Sequence, residues 1–482
     1  MRRLAIVVIA IIILLPANQM VLGQSTIRVP AEELPAAIEA AQPGDTIEVT
    51  GGAYHGNLVV DKSLTLIGHD WPVLDAEYFG TVLRVTAPDT TVRGFVLRNS
   101  GDKLLTEDSG IDIGVPRVVI ENNKLEDVLF GIYVHSGPDA LLRGNEIDGK
   151  DLDIARRGDL IRIWDSNRVV IENNITRNGR DVVLWYSENL TLRGNTFADG
   201  RYGLHFMYCD DALIEGNRLT HNSVGAYLMY GRRMILRDNL LAFNRGPSGY
   251  GLGLKDMDDS IITGNRFLDN RVGAFVDGSP REIDSIGLIE GNLFAYNDIA
   301  LEMLPSVRHN RIWDNSFIEN EQQMVIAGGG RLGENEWTPD GRGNFWSDYA
   351  GYDADGDGLG DLPYRSQRLL DSLLGQQPEL RLFLYSPAVN AVEFAARAFP
   401  MIRPQPILED TAPLTEPVFP TGAPLPTTGD EGVLWPILLL PLGLMFVGGV
   451  MRLGRGRYRM PVTTQTPVLK PGLSHGGRTH DQ

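Results

Sequence analysis

The sequence predicts an all-β chain wound as a right-handed parallel β-helix, and three observations carry that prediction. Asparagine recurs at Asn123, Asn145, Asn174, Asn195, Asn217, Asn239, Asn265, Asn292 and Asn315, in steps of 21 to 29 residues, the period of a solenoid whose unit is one coil. In the last five copies a second asparagine follows the first by five residues, at Asn222, Asn244, Asn270, Asn297 and Asn320. Between these marks apolar residues alternate over short runs, as at Leu204 and Phe206, which is the period of a strand. No repeat holds ten residues of helical pattern, which excludes a leucine-rich repeat with helices on its back. Asparagine suits the corners twice over: it tolerates the left-handed conformation of a tight turn, and stacked amides hydrogen-bond from coil to coil. Roughly thirteen coils at about 4.8 Å each make a rod about 60 Å long.

Taken in order, residues 1–23 read as a signal peptide: Arg2 and Arg3, then an uncharged run, with cleavage before Gln24. The β-helix, residues 24–345, then lies outside the cytoplasm. Its first end needs a cap, because an open coil exposes backbone and core; residues 31–41 supply a short amphipathic helix there. A single cysteine, Cys209, excludes an intramolecular disulfide, so stability comes from the stacked core. The net charge of −18 argues against nucleic acid or anionic lipid as partner and favours cations or a basic protein surface. The longest step, from Asn145 to Asn174, carries a charged insertion with Arg156 and Arg157; insertions in solenoids are surface loops, often on the working face.

Aligning each strand on the asparagine that follows it gives an outward column of Trp164, Trp185, Met207, Met229, Lys255 and Asp277. Beside it stands a second column of Arg162, Val183, His205, Tyr227, Gly253 and Phe275. Solvent does not select such a stripe; it marks a partner or ligand surface. His205, Met207 and Met229 fall within one coil of each other, and thioether with imidazole is a soft set suited to Cu(I). Coverage by another protein explains the same stripe.

The rod ends in an acidic loop, residues 346–365. Asp353, Asp355 and Asp357 stand at positions 1, 3 and 5 of a calcium loop, Gly358 at 6 and Asp361 at 9, while Tyr364 takes the place of the acid at 12. A structural Ca2+ is expected, with an acidic turn as the alternative. Residues 366–403 carry apolar side chains at three- and four-residue spacing, punctuated by Pro378, Pro387 and Pro400, and read as C-terminal amphipathic helices. Residues 404–432 read as a Pro- and Thr-rich extended linker. Residues 433–451 are 19 uncharged residues, enough for one C-terminal transmembrane helix. The basic tail 452–482, with Arg452, Arg455, Arg457 and Arg459, then stays in the cytoplasm. The pentapeptide Leu-Pro-Thr-Thr-Gly at 425–429 resembles a sortase cell-wall sorting signal; simple membrane anchoring explains the same residues.

Several stretches together resemble the NosD family, the extracytoplasmic maturation factor of nitrous oxide reductase. They are Ala-Arg-Arg-Gly-Asp-Leu-Ile-Arg-Ile-Trp at 155–164, Arg-Tyr-Gly-Leu-His-Phe-Met-Tyr at 201–208 and Gly-Ala-Tyr-Leu-Met-Tyr at 225–230 with Arg232 and Arg233. The stretches 248–257, 346–364 and 385–400 also fit, and the resemblance covers roughly residues 26–412. It implies a non-catalytic scaffold working with a membrane permease and a cytoplasmic ATPase of the ABC type. It also implies nitrous oxide reductase as client, with its copper-sulfide centre, and a copper chaperone as a further partner. The Met and His ladder is then a docking or copper-transfer face, and no ATP motif occurs in the chain. Two other classes remain open. Parallel β-helices house polysaccharide lyases and hydrolases, and Lys255 beside Asp256, Asp258 and Asp259 is the nearest such cluster. A wall-attached carbohydrate-binding adhesin would use Trp164, Trp185 and Tyr227 to stack on sugars.

Overall fold

The computed structural model describes residues 25–329, 332–366 and 406–426. Three short strands per coil stack into three parallel sheets. The first holds 13 strands, from Thr26–Val29 to Asn310–Trp313, and the second 13, from Ala53–His55 to Phe345–Trp346. The third, the front sheet, holds 12, from Leu58–Val60 to Gln322–Ile326. Alternation sends every second side chain inward. On the first sheet Ile120, Leu142, Ile171, Leu192, Ile214, Leu236, Ile262, Ile289 and Ile312 stand in register. None is more than 3 % exposed, so each coil adds a layer to one continuous apolar column.

The corner after the first sheet is held by amides. The Asn217 Nδ2 and backbone N–H both donate to Asn239 Oδ1 at 2.9 Å, and Asn239 repeats this on Asn265 at 2.9 and 3.0 Å. The chain of contacts runs from Asn123 to Asn344. The second asparagines make a parallel ladder at the next corner, from Asn222 through Asn244, Asn270 and Asn297 to Asn320. One expectation is corrected: the left-handed residue is not the ladder asparagine but the residue before it, Asn122, Gly144, Asn173, Gly194, Gly216, Asp238, Gly264, Gly291 or Asp314. That residue makes the bend, which leaves the ladder amide free to turn inward and stack.

The first end is closed by a 3-10 turn, Ala31–Glu33, and the helix Leu34–Ala40, which buries Leu34, Ala37 and Ile38. Lys62 Nζ donates to the last carbonyls of that helix, Ile38, Glu39 and Ala41, at 2.9, 2.6 and 3.0 Å, where a cation is favoured. At the other end Phe267, Phe294, Phe317, Trp346 and Tyr364 stack with ring centroids 4.3 to 5.1 Å apart. Tyr364–Arg365 pairs antiparallel with Glu409–Asp410. Residues 406–425, read from composition as part of a linker, lie against the rod: the Val418 N–H donates to Ser316 Oγ at 2.8 Å and Arg266 Nη2 to the Pro420 carbonyl at 2.5 Å. The expected signal peptide, C-terminal helices, transmembrane helix and basic tail fall on residues 1–24, 367–405 and 427–482, outside the described residues apart from Ser366. Among the described residues no helix is long and apolar enough to cross a membrane.

Asp410 takes the place of the next asparagine. Fully buried, it accepts from Asn344 N at 2.7 Å, Trp346 Nε1 at 2.9 Å, Thr338 Oγ1 at 3.0 Å and Ala412 N at 3.2 Å. Burial pushes its carboxyl above the ordinary range, and these donors pull back only part of that. A raised carboxyl binds its proton more tightly folded than unfolded, so the stability tied to it is full at low pH and falls as pH rises from about 4 through the raised value.

Two stability measurements check these contacts. Asn239→Ala removes the acceptor for two Asn217 donors and a donor to the Ile214 carbonyl and should cost about 2–4 kcal/mol; a denaturation midpoint equal to wild type would remove the ladder as a source of stability. Asp410→Asn should flatten the decline of Tm with rising pH, whereas Asp410→Ala should melt lower at every pH. If wild type and Asp410→Asn follow the same pH profile, the buried carboxyl is not its origin.

Candidate functional site

The two outward columns read from the sequence are columns of the front sheet. Trp164, Trp185, Met207, Met229, Lys255 and Asp277 pair in register, preceded by His135. Arg162, Val183, His205, Tyr227, Gly253 and Phe275 do the same, preceded by Asp112 and Tyr133. Both ends of this face are charged and paired. Upstream, Arg84 Nε lies 2.8 Å and His135 Nε2 3.0 Å from the Asp112 carboxylate; burial opposes the Asp112 charge, but His135 and Arg84 outweigh it and hold the carboxyl low. Downstream, Lys255 Nζ donates to Asp277 at 2.7 Å, which raises the Lys255 pKa. An ammonium kept protonated in this way is a poor general base.

Between those ends the face is aromatic and soft. Trp164 and Trp185 lie 5.7 Å apart, Trp185 meets His205 edge to face at 5.4 Å, and Tyr202 flanks His205 at 4.8 Å. Tyr227 leads on to Tyr250, which stacks on Phe275 at 4.7 Å. A Cβ on Gly253 would collide with the Tyr227 ring, so glycine there lets that ring lie across the next coil. Met207 and Met229 are half-buried on adjacent coils.

His205 is 8 % exposed. Its Nδ1 is buried without a hydrogen bond, 3.7 Å from Asp181 Oδ2. That carboxylate is gripped by Arg201 and by the Tyr202 N–H at 3.2 Å. Burial pushes against its charge, yet His205 and Arg201 keep Asp181 below the usual carboxylate range. Asp159, hydrogen-bonded to Arg180 at 3.0 Å, goes the other way: burial raises it, Arg180 offsets only part, and Asp181 adds to the rise. Trp185 Nε1 is also buried with no partner among the described residues. Two thioethers and an imidazole, on a face of low polarity, fit a soft monovalent cation. Cys209 stays out of that set: burial pushes its thiol up to about 12, and its Sγ lies 3.1 Å from the Leu184 carbonyl. A thiol, not a thiolate, is a weak ligand.

The sequence reading missed a third column. The residues after Trp185, Met207 and Met229 are Tyr186, Tyr208 and Tyr230, whose rings stack at 5.2 and 5.1 Å. Tyr186 and Tyr208 are 47 and 48 % exposed. All three hold φ of +53 to +57°, the left-handed conformation that corner residues adopt along this rod, which is costly for bulky side chains. Neighbouring coils place Asp165 and Asp256 at the same corner, as turn chemistry favours. The same asparagine alignment exposes the column once corners are read as well as strands.

Arg156 and Arg157 stand apart from the ladder. Their loop leads into the N-terminal end of strand Ile161–Trp164, whereas the methionines and the tyrosine corner sit at the C-terminal ends of their strands. Arg157 ties its own loop to the rod through the Leu152 and Asp199 carbonyls; Arg156 is exposed. In the acidic loop, carboxylate oxygens of Asp353, Asp355 and Asp357 come within 4.8 Å of one another. The N–H groups of Gly356 and then Gly358 help hold Asp353 low. Asp361 closes the loop by accepting from Ala354 N at 2.7 Å, and Tyr364 is buried in the aromatic stack.

A family model described as periplasmic copper-binding protein (NosD) matches residues 143–351, which include the ladder. A Pseudomonas aeruginosa protein named probable ABC transporter binding protein NosD is 31 % identical over 464 residues, 84 % of this chain and 96 % of that one. A Stutzerimonas stutzeri protein of the same name is 31 % identical over 413 residues, 75 % of this chain and 85 % of that one. Among solved structures, the A-module of a mannuronan C-5 epimerase from Azotobacter vinelandii aligns with a TM-score of 0.47 at 13 % identity, covering 64 % of this chain and 92 % of that one, a likeness that bears on neither activity nor substrate. Carried through nearly the full length of its relatives, this similarity means that the chain belongs to the NosD family.

Proposed function

We propose that this protein is a non-catalytic extracytoplasmic scaffold of an ABC-type complex that supports maturation of nitrous oxide reductase, delivering copper, with sulfur, to its copper-sulfide centre. The observation that carries the reading is a front sheet whose charged ends are paired while its middle offers Met207, Met229 and His205 beside an exposed tyrosine corner. In this reading Cu(I) is cargo, held briefly by those three side chains. Trp164, Trp185, Tyr227 and the tyrosine corner form the surface on which the copper chaperone or nitrous oxide reductase rests, with Arg156, Arg157 and Lys255 at its margins.

A permease and a cytoplasmic ATPase supply the energy, and residues 388–399 contact the permease. Residues 433–451 anchor the chain at the outer face of the membrane, where the pentapeptide at 425–429 offers wall attachment as a second route. Asp353, Asp355 and Asp357, with Asp361 behind them, hold a structural Ca2+ at the end of the rod. The stacked tyrosines spend their ring faces on one another, which suits a protein surface better than sugar stacking.

Replacing His205, Met207 and Met229 together by alanine should weaken Cu(I) at least tenfold in competition with a chelating dye; equal affinity in both proteins would strike them out as ligands. A Ca2+ chelator should lower the Tm of the wild type, since a ligand bound only to the folded state stabilises it, and should leave an Asp353→Asn/Asp355→Asn double variant unmoved. No shift in the wild type would refute the Ca2+ site.

A further inference from the structure

We infer that Trp185 completes the copper site as a π-face lid: its indole lies over the cation that His205, Met207 and Met229 hold, and takes the place of water there. The inference rests on reading the ladder as a copper site and adds the group that closes it. Trp185, Met207 and Met229 are register partners on three successive coils, so their side chains stand about 4.8 Å apart along one face. Met207 is thus flanked by an indole on one side and a thioether on the other. His205, two residues before Met207, points to the same face of the strand and meets the Trp185 ring edge to face at 5.4 Å.

The chemistry of the indole supports this placement. Tryptophan has the aromatic face that attracts cations best, the more so when desolvated. At this position its N–H gains nothing, being buried without a partner among the described residues; a site selecting tryptophan for hydrogen bonding would not leave it so. Its ring is instead fixed by rings, Trp164 behind it at 5.7 Å and His205 beside it. Asp181, 3.7 Å from the buried Nδ1 of His205, occupies that side of the ring and leaves Nε2 for the metal. Downstream, the next register partner of Met229 is Lys255, whose ammonium repels a monovalent cation. The indole closes the site upstream, the ammonium bounds it downstream, and the open edge is the tyrosine corner at Tyr208 and Tyr230.

The test uses the whole purified protein and Ag(I), a redox-silent ion with the charge and ligand preference of Cu(I), read by tryptophan emission and by competition with a chelating dye. Wild type should show a quench that saturates at one equivalent. Trp185→Phe, which keeps a ring of lower cation affinity in place, should lose most of the quench and bind roughly threefold to tenfold more weakly. Trp313→Phe, on the first sheet, should change neither. Apo melting curves check that the variants fold, and the phenylalanine substitution is conservative enough to decide the matter without a smaller side chain. Unchanged quench and affinity in Trp185→Phe, while the His205, Met207 and Met229 triple alanine variant loses Ag(I), would overturn the lid and leave the copper site standing. Unchanged affinity in the triple variant as well would remove site and lid together.

Discussion

The asparagine ladder is the contact on which everything else here depends. A parallel sheet with apolar residues inside tolerates slips, since one aliphatic rung packs much like the next, and a slip of one residue would exchange the faces. An amide that must donate to the amide oxygen of the next coil and to a carbonyl of the coil before, while its own oxygen accepts from the coil before, has no such freedom. By locking each coil to its neighbours at the corner, the ladder fixes which residues stand above which on the front sheet. The Met207 and Met229 pairing is therefore set by Asn217 and Asn239, each of which lies one corner and one strand beyond its methionine.

The remaining faces are built so that they do not compete. Along the first sheet Arg93, Glu121, Arg143, Glu172, Arg193, Glu215 and Arg237 alternate in register over seven coils, with Arg143 and Glu172 2.6 Å apart and Arg193 and Glu215 3.0 Å apart. Each exposed pair adds little stability. Together they leave a face of balanced charge that offers a ligand nothing, and like charges on successive coils would oppose a shifted register. Among the described residues, the front sheet keeps soft, half-buried groups such as Met207 and Met229 without such pairing. Asp410 closes the ladder as a carboxylate where an amide is the rule, brought back from 66 residues beyond Asn344, so the end of the rod depends on a distant segment of chain.

Much of this was legible beforehand for a physical reason: in a solenoid, neighbours in space are neighbours one period away in sequence. Counting back from each asparagine was enough to assign both outward columns, His205 to Tyr227 and Met207 to Met229 included. It was not enough where the answer required more than the period. The left-handed residue at the asparagine corner proved to be its predecessor, because bending the chain and stacking an amide require different backbone conformations. Tyr186, Tyr208 and Tyr230 escaped notice because corners are expected to hold glycine, asparagine or aspartate, and these hold tyrosine.

By itself the amino-acid sequence determined the solenoid, its two asparagine ladders, the helix over the first end and the soft composition of one face, since all of these follow from local period and residue chemistry. Only the tertiary structure decided that Asp181 stands behind His205, that burial keeps Cys209 a thiol and removes it as a ligand, that Trp185 and His205 meet edge to face, and that residues 406–425 return to close the rod. Those contacts depend on side-chain direction and on segments far apart in the chain, and neither is encoded in a period.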